Sequence, residues 1–389
     1  MKKSDRKIFG TLFFSIFTAV TGVGIVVPLL PVYANHLGAS GIYIGLIFGA
    51  FSLSRTFFLP YFGQLSDKKG RKPFIVIGLF SYALISIAFI FSKSVESLIV
   101  VRFVQGITSA MIMPVVQAYV GDITPKGQEG WIMGIFNMSL FFGLSVGPLI
   151  GGIINDRFSL DFTFIAMGIL SFASFLASLI LLPSTSGEKV VQHKKAPASW
   201  YHLINDRIIA GLFLFRMAYT SCIGIIWGFL PVFADQSFSL SSSAIGVLVM
   251  LGVFVSGAVH TPMGWVADRT NRKVLITIGG IIVTGAIYAF VCSRGFYDMF
   301  LASFFFGIGG GISMPAMMAI AVEKGRKSNA MGSIMALLTV AHSMGMLTGS
   351  ILAGLMMDLF QLKSAFAMGA LIMALGTGLF IICTWRRPL

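Results

Sequence analysis

Apolar runs of twenty residues or more alternate with short polar breaks along the whole chain, near 8–33, 41–65, 73–92, 95–120, 130–154, 161–183, 207–234, 241–266, 273–292, 295–322, 328–355 and 362–385. Each is long enough to cross the ~30 Å hydrocarbon core of a bilayer as an α-helix. Inside that core no water is present to bond the backbone, so a spanning segment must satisfy its own N–H and C=O groups. The pattern therefore predicts twelve transmembrane helices. The first run follows a basic segment, Met1 to Lys7, as in a signal peptide. Ile8 to Tyr33 exceeds the length of an h-region and contains no small-residue cleavage site, which predicts a retained helix.

The polar punctuation repeats at an offset of 201 residues. Ile44-Gly45 recurs as Ile245-Gly246, Gly63 as Gly264, Asp67 as Asp268, Arg71-Lys72 as Arg272-Lys273, Gly106 as Gly307, Met113-Pro114 as Met314-Pro315, Asp122 as Glu323 and Lys126 as Lys327. Charged, Gly and Pro positions keep register across four helices, which indicates duplication. The expected architecture is an all-α membrane protein with two pseudo-symmetric six-helix bundles, 1–183 and 207–389, joined by a polar cytoplasmic linker over 184–206. Two halves that start on the same side are related by an axis along the membrane normal, which places a cavity at their interface.

Composition agrees with this picture. Of 389 residues 56% are hydrophobic and 11% charged, against roughly 25% charged in a soluble domain. The net charge of +14 could suggest a nucleic-acid partner, but its distribution explains it otherwise. Of the 28 Lys and Arg, three lie within spans, four (Lys93, Arg157, Arg294, Lys363) fall on one side and the remaining 21 on the side of the N-terminus. This is the positive-inside bias, and it predicts a multi-pass protein of the cytoplasmic membrane with both termini in the cytoplasm. Cys222, Cys292 and Cys383 show neither disulfide nor metal-ligand spacing, and no cofactor motif is present.

The loop between the second and third spans reads Gly63-Gln-Leu-Ser-Asp67-Lys-Lys-Gly70-Arg71-Lys72, and its copy includes Asp268 and Arg272. A carboxylate at a helix end accepts backbone N–H groups, and a guanidinium can bridge two acids. Asp122 is the natural second partner of Arg71, and Glu323 that of Arg272. The G-x-L-S-D-x-x-G-R-K pattern resembles the loop signature of the major facilitator superfamily. Arg102-Phe-Val-Gln-Gly106 and Gly143-x-x-x-Gly147-Pro148-x-x-Gly151-Gly152 resemble its embedded-arginine and antiporter motifs. Together with Gly22 to Pro31, these point to the drug/proton antiporter branch. The resemblance implies a rocker-switch exporter whose loop acid and arginine latch the cytoplasmic side, with the fifth span as hinge and seal. Two plainer readings stand beside it: the loop charges as topological anchors, and the glycines as close-packing positions.

Ionisable residues deep in a span are candidates for function. Here they are Arg55, Arg102, Arg216, His260 and His342, while all fourteen Asp and Glu fall in loops or at span ends. The drug/proton branch commonly carries a buried carboxylate, and this chain departs from it there. Embedded guanidinium groups without carboxylates predict an anion-attracting cavity; the alternative is that they bond carbonyls and neighbours such as Gln105. His342 is the leading proton-coupling candidate. His260, the second, also reads as a hydrogen-bonded packing residue. Tyr33, Gln117, Tyr119, Asn137, Tyr219 and Trp227 are possible cavity liners. The expected activity is secondary transport, by export of a small anionic or amphipathic compound or by proton-linked or facilitated uptake of a metabolite, by a monomer without cofactor or metal. The other classes are a non-transporting receptor or scaffold, which would have little use for twin gating loops, and a membrane enzyme, for which no nucleophile–base pair exists.

Overall fold

A computed structural model describes residues 3–125, 128–183, 206–328 and 331–384. The expected linker 184–206, apart from Asp206, lies outside the described residues, as does Lys126. Among the described residues the chain forms only helices: α1 (Lys3–Val26), α2 (Leu29–His36), α3 (Gly41–Lys69), α4 (Arg71–Phe91), α5 (Val95–Ile123), α6 (Glu129–Arg157), α7 (Leu160–Leu181), α8 (Arg207–Phe238), α9 (Ser242–Ala267), α10 (Arg272–Cys292), α11 (Phe296–Lys327), α12 (Met331–Leu359) and α13 (Leu362–Thr384). They make 12 transmembrane spans, the first composed of α1 and α2 together. That first span is a single crossing, as expected, but carries a break that its apolar run does not announce. Pro28 and Pro31 have no N–H to offer the carbonyls of Gly24 and Val27, and the helix breaks at this point.

Helix starts are set by side chains that take up free N–H groups. Ser94 and Ser97 form a capping box at α5, Asp206 accepts from Ile208 N at 2.8 Å, and Asn271 accepts from Lys273 N at 3.1 Å. On the outer faces large apolar side chains stand free; Phe57, Phe91 and Ile180 are each more than 70% exposed. Such surfaces are stable against lipid and not against water.

Contacts group the chain into two compact units. The first comprises Met1–Gly38, Ala50–Gln192 and Ser241–Met250; the second comprises Ala39–Gly49, His193–Leu240 and Leu251–Leu389. In the first, α1 packs on α6 and α7, and α4 on α5 and α7. In the second, α8 packs on α12 and α13, and α10 on α11 and α13. These pairings correspond one to one at the offset of the repeat, so duplicated sequence gives duplicated packing. Each unit also holds the start of a helix by a carboxylate. Asp156 accepts from Ser242 N and Ser243 N at 2.9 and 2.8 Å, and Asp358 accepts from Ile42 N at 2.9 Å and from Gly41 N.

Candidate functional site

The repeated loops fold into two charge clusters. Arg71 is buried at the start of α4. Its Nε donates to Asp122 at 3.1 Å, its Nη1 donates to Ser66 Oγ at 2.8 Å, and the same nitrogen pairs with Asp67. In the copy Arg272 Nη1 meets Glu323 at 2.7 Å, Nη2 meets Asp268 at only 3.7 Å, and Nε donates to the Ala267 carbonyl at 3.1 Å. The side chain of Arg71 is 8% exposed and that of Arg272 23%, so the first cluster is the tighter one. Gly70 has φ +89° and ψ 159°, a conformation open essentially to glycine alone, whereas Asn271 at the equivalent position has φ −70° and caps α10. Gly63, four residues before Asp67, has open space where a side chain would begin.

The glycines of α6 face α1. A β-carbon at Gly147 would lie 2.7 Å from the Thr21 carbonyl oxygen and 2.8 Å from Gly24 Cα, and one at Gly143 would lie 3.0 Å from the Phe17 carbonyl. Gly151 presses on Ile25 and Gly152 on Ser242, while the Pro148 carbonyl lies against Gly246. These are backbone-to-backbone approaches that only small residues permit.

Inside the first unit, Gly106 brings α5 against α3 at Phe51 and Arg55. One turn away Arg102, 4% exposed, donates from Nη1 to Gln105 Oε1 at 2.8 Å and lays its guanidinium 4.6 Å from the Phe51 ring centroid. Tyr82 of α4 shares a hydrogen bond with Ser109 and lies in the field of both Arg55 and Arg102. Arg102 is thus accommodated by polar and aromatic neighbours. Arg55 differs, because its buried Nε has no hydrogen-bond partner.

Inside the second unit, Gly345 lets α12 approach α8 at Met217 and Thr220, and Gly310 lets α11 approach Tyr219. The ring of Tyr219 stacks on Phe306 at 5.7 Å. Arg216 Nη1 donates to Met314 Sδ at 2.8 Å, and Nη2 lies 3.4 Å from His342 Nδ1. His260 is within electrostatic reach of Arg216. A thioether is a weak acceptor and a neutral imidazole offers a single lone pair, so neither balances a guanidinium with five N–H donors. Among the described residues every carboxylate lies outside a helix or within five residues of its end.

The other expected liners fall elsewhere. Tyr33 donates to the Ser92 carbonyl at 2.9 Å and meets Phe164 edge-on, and Tyr119 points to the Pro183 carbonyl at 3.4 Å. Asn137 and Gln117 are exposed and Trp227 is half-buried; no described contact joins them to either cluster. Ser66, Tyr82, Met314 and the capping pair Asp156 and Asp358 escape sequence reasoning. Ser66 stands in the loop motif, where only its ion-pairing neighbours attract notice. Asp156 and Asp358 lie 202 residues apart, close to the repeat offset, and that spacing is the signal that marks them.

The family model for the Major Facilitator Superfamily matches residues 12–236 and 219–389. An MFS-type transporter of Methanocaldococcus jannaschii is 28% identical, over 95% of this chain and 96% of its own. Multidrug resistance protein 2 of Bacillus subtilis is 25% identical over 100% of this chain and 98% of its own. Among solved structures, that of the nucleoside transporter NupG superposes with a TM-score of 0.83 at 14% identity, covering 96% of this chain and 99% of that one.

Proposed function

Because the chain belongs to the major facilitator superfamily, a family of transporters, we propose that it is a secondary active transporter exporting a small anionic or amphipathic solute by rocker-switch alternating access. It works as a monomer in the cytoplasmic membrane with both termini in the cytoplasm. The observation that carries the substrate class is Arg216, a guanidinium whose described partners are a thioether and an imidazole. Guanidinium does not lose its proton in proteins, so a site that holds it without a carboxylate favours an anion and repels a cation. Arg55, with its unbonded Nε, supports the same reading. The similarity to multidrug resistance protein 2 of Bacillus subtilis supports the outward direction. The Arg71 and Arg272 clusters serve as the cytoplasmic latch, and the α6 glycines as hinge and seal.

The test uses matched probes. Benzoate should raise the unfolding temperature of the purified protein more than benzamide does, since a ligand that binds only the folded state stabilises it by mass action. Labelled benzoate should then show counterflow in proteoliposomes. Stabilisation by tetraphenylphosphonium alone, unchanged in Arg216→Gln, would sink the anion reading. A second reading, proton-linked uptake, is favoured by one observation, the contact between Arg216 and His342.

A further inference from the structure

We propose that His342 binds a proton that travels with the anion: an anionic group at Arg216 and a proton on His342 Nδ1 load together and are carried in the same direction. This rests on the anion reading above. Arg216 Nη2 can only donate, so in the 3.4 Å contact Nδ1 of His342 is the acceptor, the ring is neutral, and its own proton sits on Nε2. A proton arriving at Nδ1 turns that acceptor into a donor. The contact with Arg216 is lost, and two cations face each other inside a span, the other guanidinium nitrogen having the thioether Met314 Sδ as its described partner. An anion between them accepts from the freed Nη2 and from Nδ1–H and offsets both charges. Each partner therefore raises the affinity for the other, and by thermodynamic reciprocity the two factors are equal.

The groups around the Arg216–His342 pair fix this sign. Arg216 of α8 meets His342 directly, and around Arg216 stand Tyr219 of the same helix, His260 of α9 and Met314 of α11. Tyr43 stands on the outer start of α3. The acids of α11 and α12, Asp298, Glu323 and Asp358, stand within five residues of their helix ends, and on α13 Lys363 and Cys383 are likewise near the ends. A carboxylate at the depth of His342 would give the opposite sign, because a proton neutralising it would compete with a cationic solute. Here the proton recruits the solute. Under this coupling export proceeds down the anion's own outward gradient, while an inward proton gradient opposes it and favours the second reading above, proton-linked uptake.

Titration calorimetry on the full chain in nanodiscs tests this with benzoate, salicylate and octanoate, whose carboxyls stay ionised well above ~4. Titrations in two buffers of different ionisation enthalpy should show up to one proton taken up per anion bound near pH 7.5. Affinity should tighten by up to about tenfold per pH unit between pH 8 and 6, the largest slope one linked proton allows. His342→Gln should remove the proton uptake and the slope together, whereas His260→Gln should keep both. Binding with no proton uptake, with proton release, or with a slope that disappears only in His260→Gln overturns the coupling while leaving the anion site standing. Failure of all three carboxylates to bind wild-type protein overturns the anion reading and the coupling with it.

Discussion

Three arginines lie inside the spans, and their surroundings separate them. Arg102 has Gln105 and the Phe51 ring, so its removal strips the partners of a closed network. Arg102→Ala is expected to cost about 2 kcal/mol of stability, read as a lower unfolding temperature, with benzoate affinity of the folded protein within about threefold of wild type. Arg216→Gln should do the reverse. Losing one charge-assisted contact should raise the dissociation constant for benzoate by about tenfold or more, while a calorimetric titration with benzamide barely changes. Equal losses for benzoate and benzamide would mean that Arg216 shapes the cavity without meeting the charge. All three arginines were legible in the sequence, because a charge in an apolar run stands out. Their partners were only partly so. Gln105 lies three residues from Arg102 on the same helix, but Met314 and His342 lie 98 and 126 residues from Arg216, and only the folded chain brings them there.

At the scale of the element, the two loops share a pattern and differ in tightness. Asp67→Asn should abolish most counterflow while leaving expression intact, since the pair is proposed to act on access and not on folding. Asp268→Asn should be milder, because Arg272 keeps Glu323 at 2.7 Å and the Ala267 carbonyl at 3.1 Å while Asp268 stands 3.7 Å away. Wild-type counterflow in Asp67→Asn would reduce the loop to an anchor. Gly70→Ala forces a side chain into a glycine-only conformation and should cost about 1–3 kcal/mol, measured by denaturation in detergent. A different element end responds to pH. Asp206 caps α8 and holds Lys324 Nζ at 2.8 Å. Burial pushes its carboxyl up, but Lys324 and the N–H groups of Ile208 and Ile209 outweigh it and hold the carboxyl below the usual range. The folded state thus favours the ionised form. That contribution is present above the unfolded value near ~4 and is lost as pH falls through the lower folded one. The stability gap between wild type and Asp206→Asn should therefore narrow below about pH 4, and a gap that persists unchanged to pH 2.5 would show the cap to be independent of charge. The loop acids and arginines were legible in the sequence as a spaced motif. The third contact of Arg71, Ser66, was not, because a serine gives no charge signal.

Across the whole molecule, twelve spans and their duplication were legible because lipid imposes a length and a repeat imposes a register. The break at Val27–Pro28 was hidden inside an unbroken apolar run, since hydropathy does not register a missing N–H. The grouping of Ala39–Gly49 with the second unit and Ser241–Met250 with the first was hidden too, since Asp358 and Asp156 reach those helix starts across 316 and 86 residues of chain. Orientation in the membrane rests on charge alone, with 21 basic residues on one side against four on the other. The chain carries its own reporter for it. Cys292, at the end of α10, is exposed; Cys222 is buried and Cys383 half-buried. Because α10 starts beside the basic Arg272 and Lys273 on the proposed cytoplasmic side, its far end belongs outside. A membrane-impermeant maleimide added to intact cells should label wild-type protein, and Cys292→Ser should remove the signal. In that cysteine-substituted background, residues introduced at the exposed positions Ser40 and Ser241 should also label in intact cells, and those at Lys69 and Ser328 only after permeabilisation. These four positions bracket both halves, so a single inverted half would show as one reversed pair. Labelling of Lys69→Cys and Ser328→Cys in intact cells, with Ser40→Cys and Ser241→Cys protected, would turn the whole topology over and place the Arg71 and Arg272 clusters on the outer face.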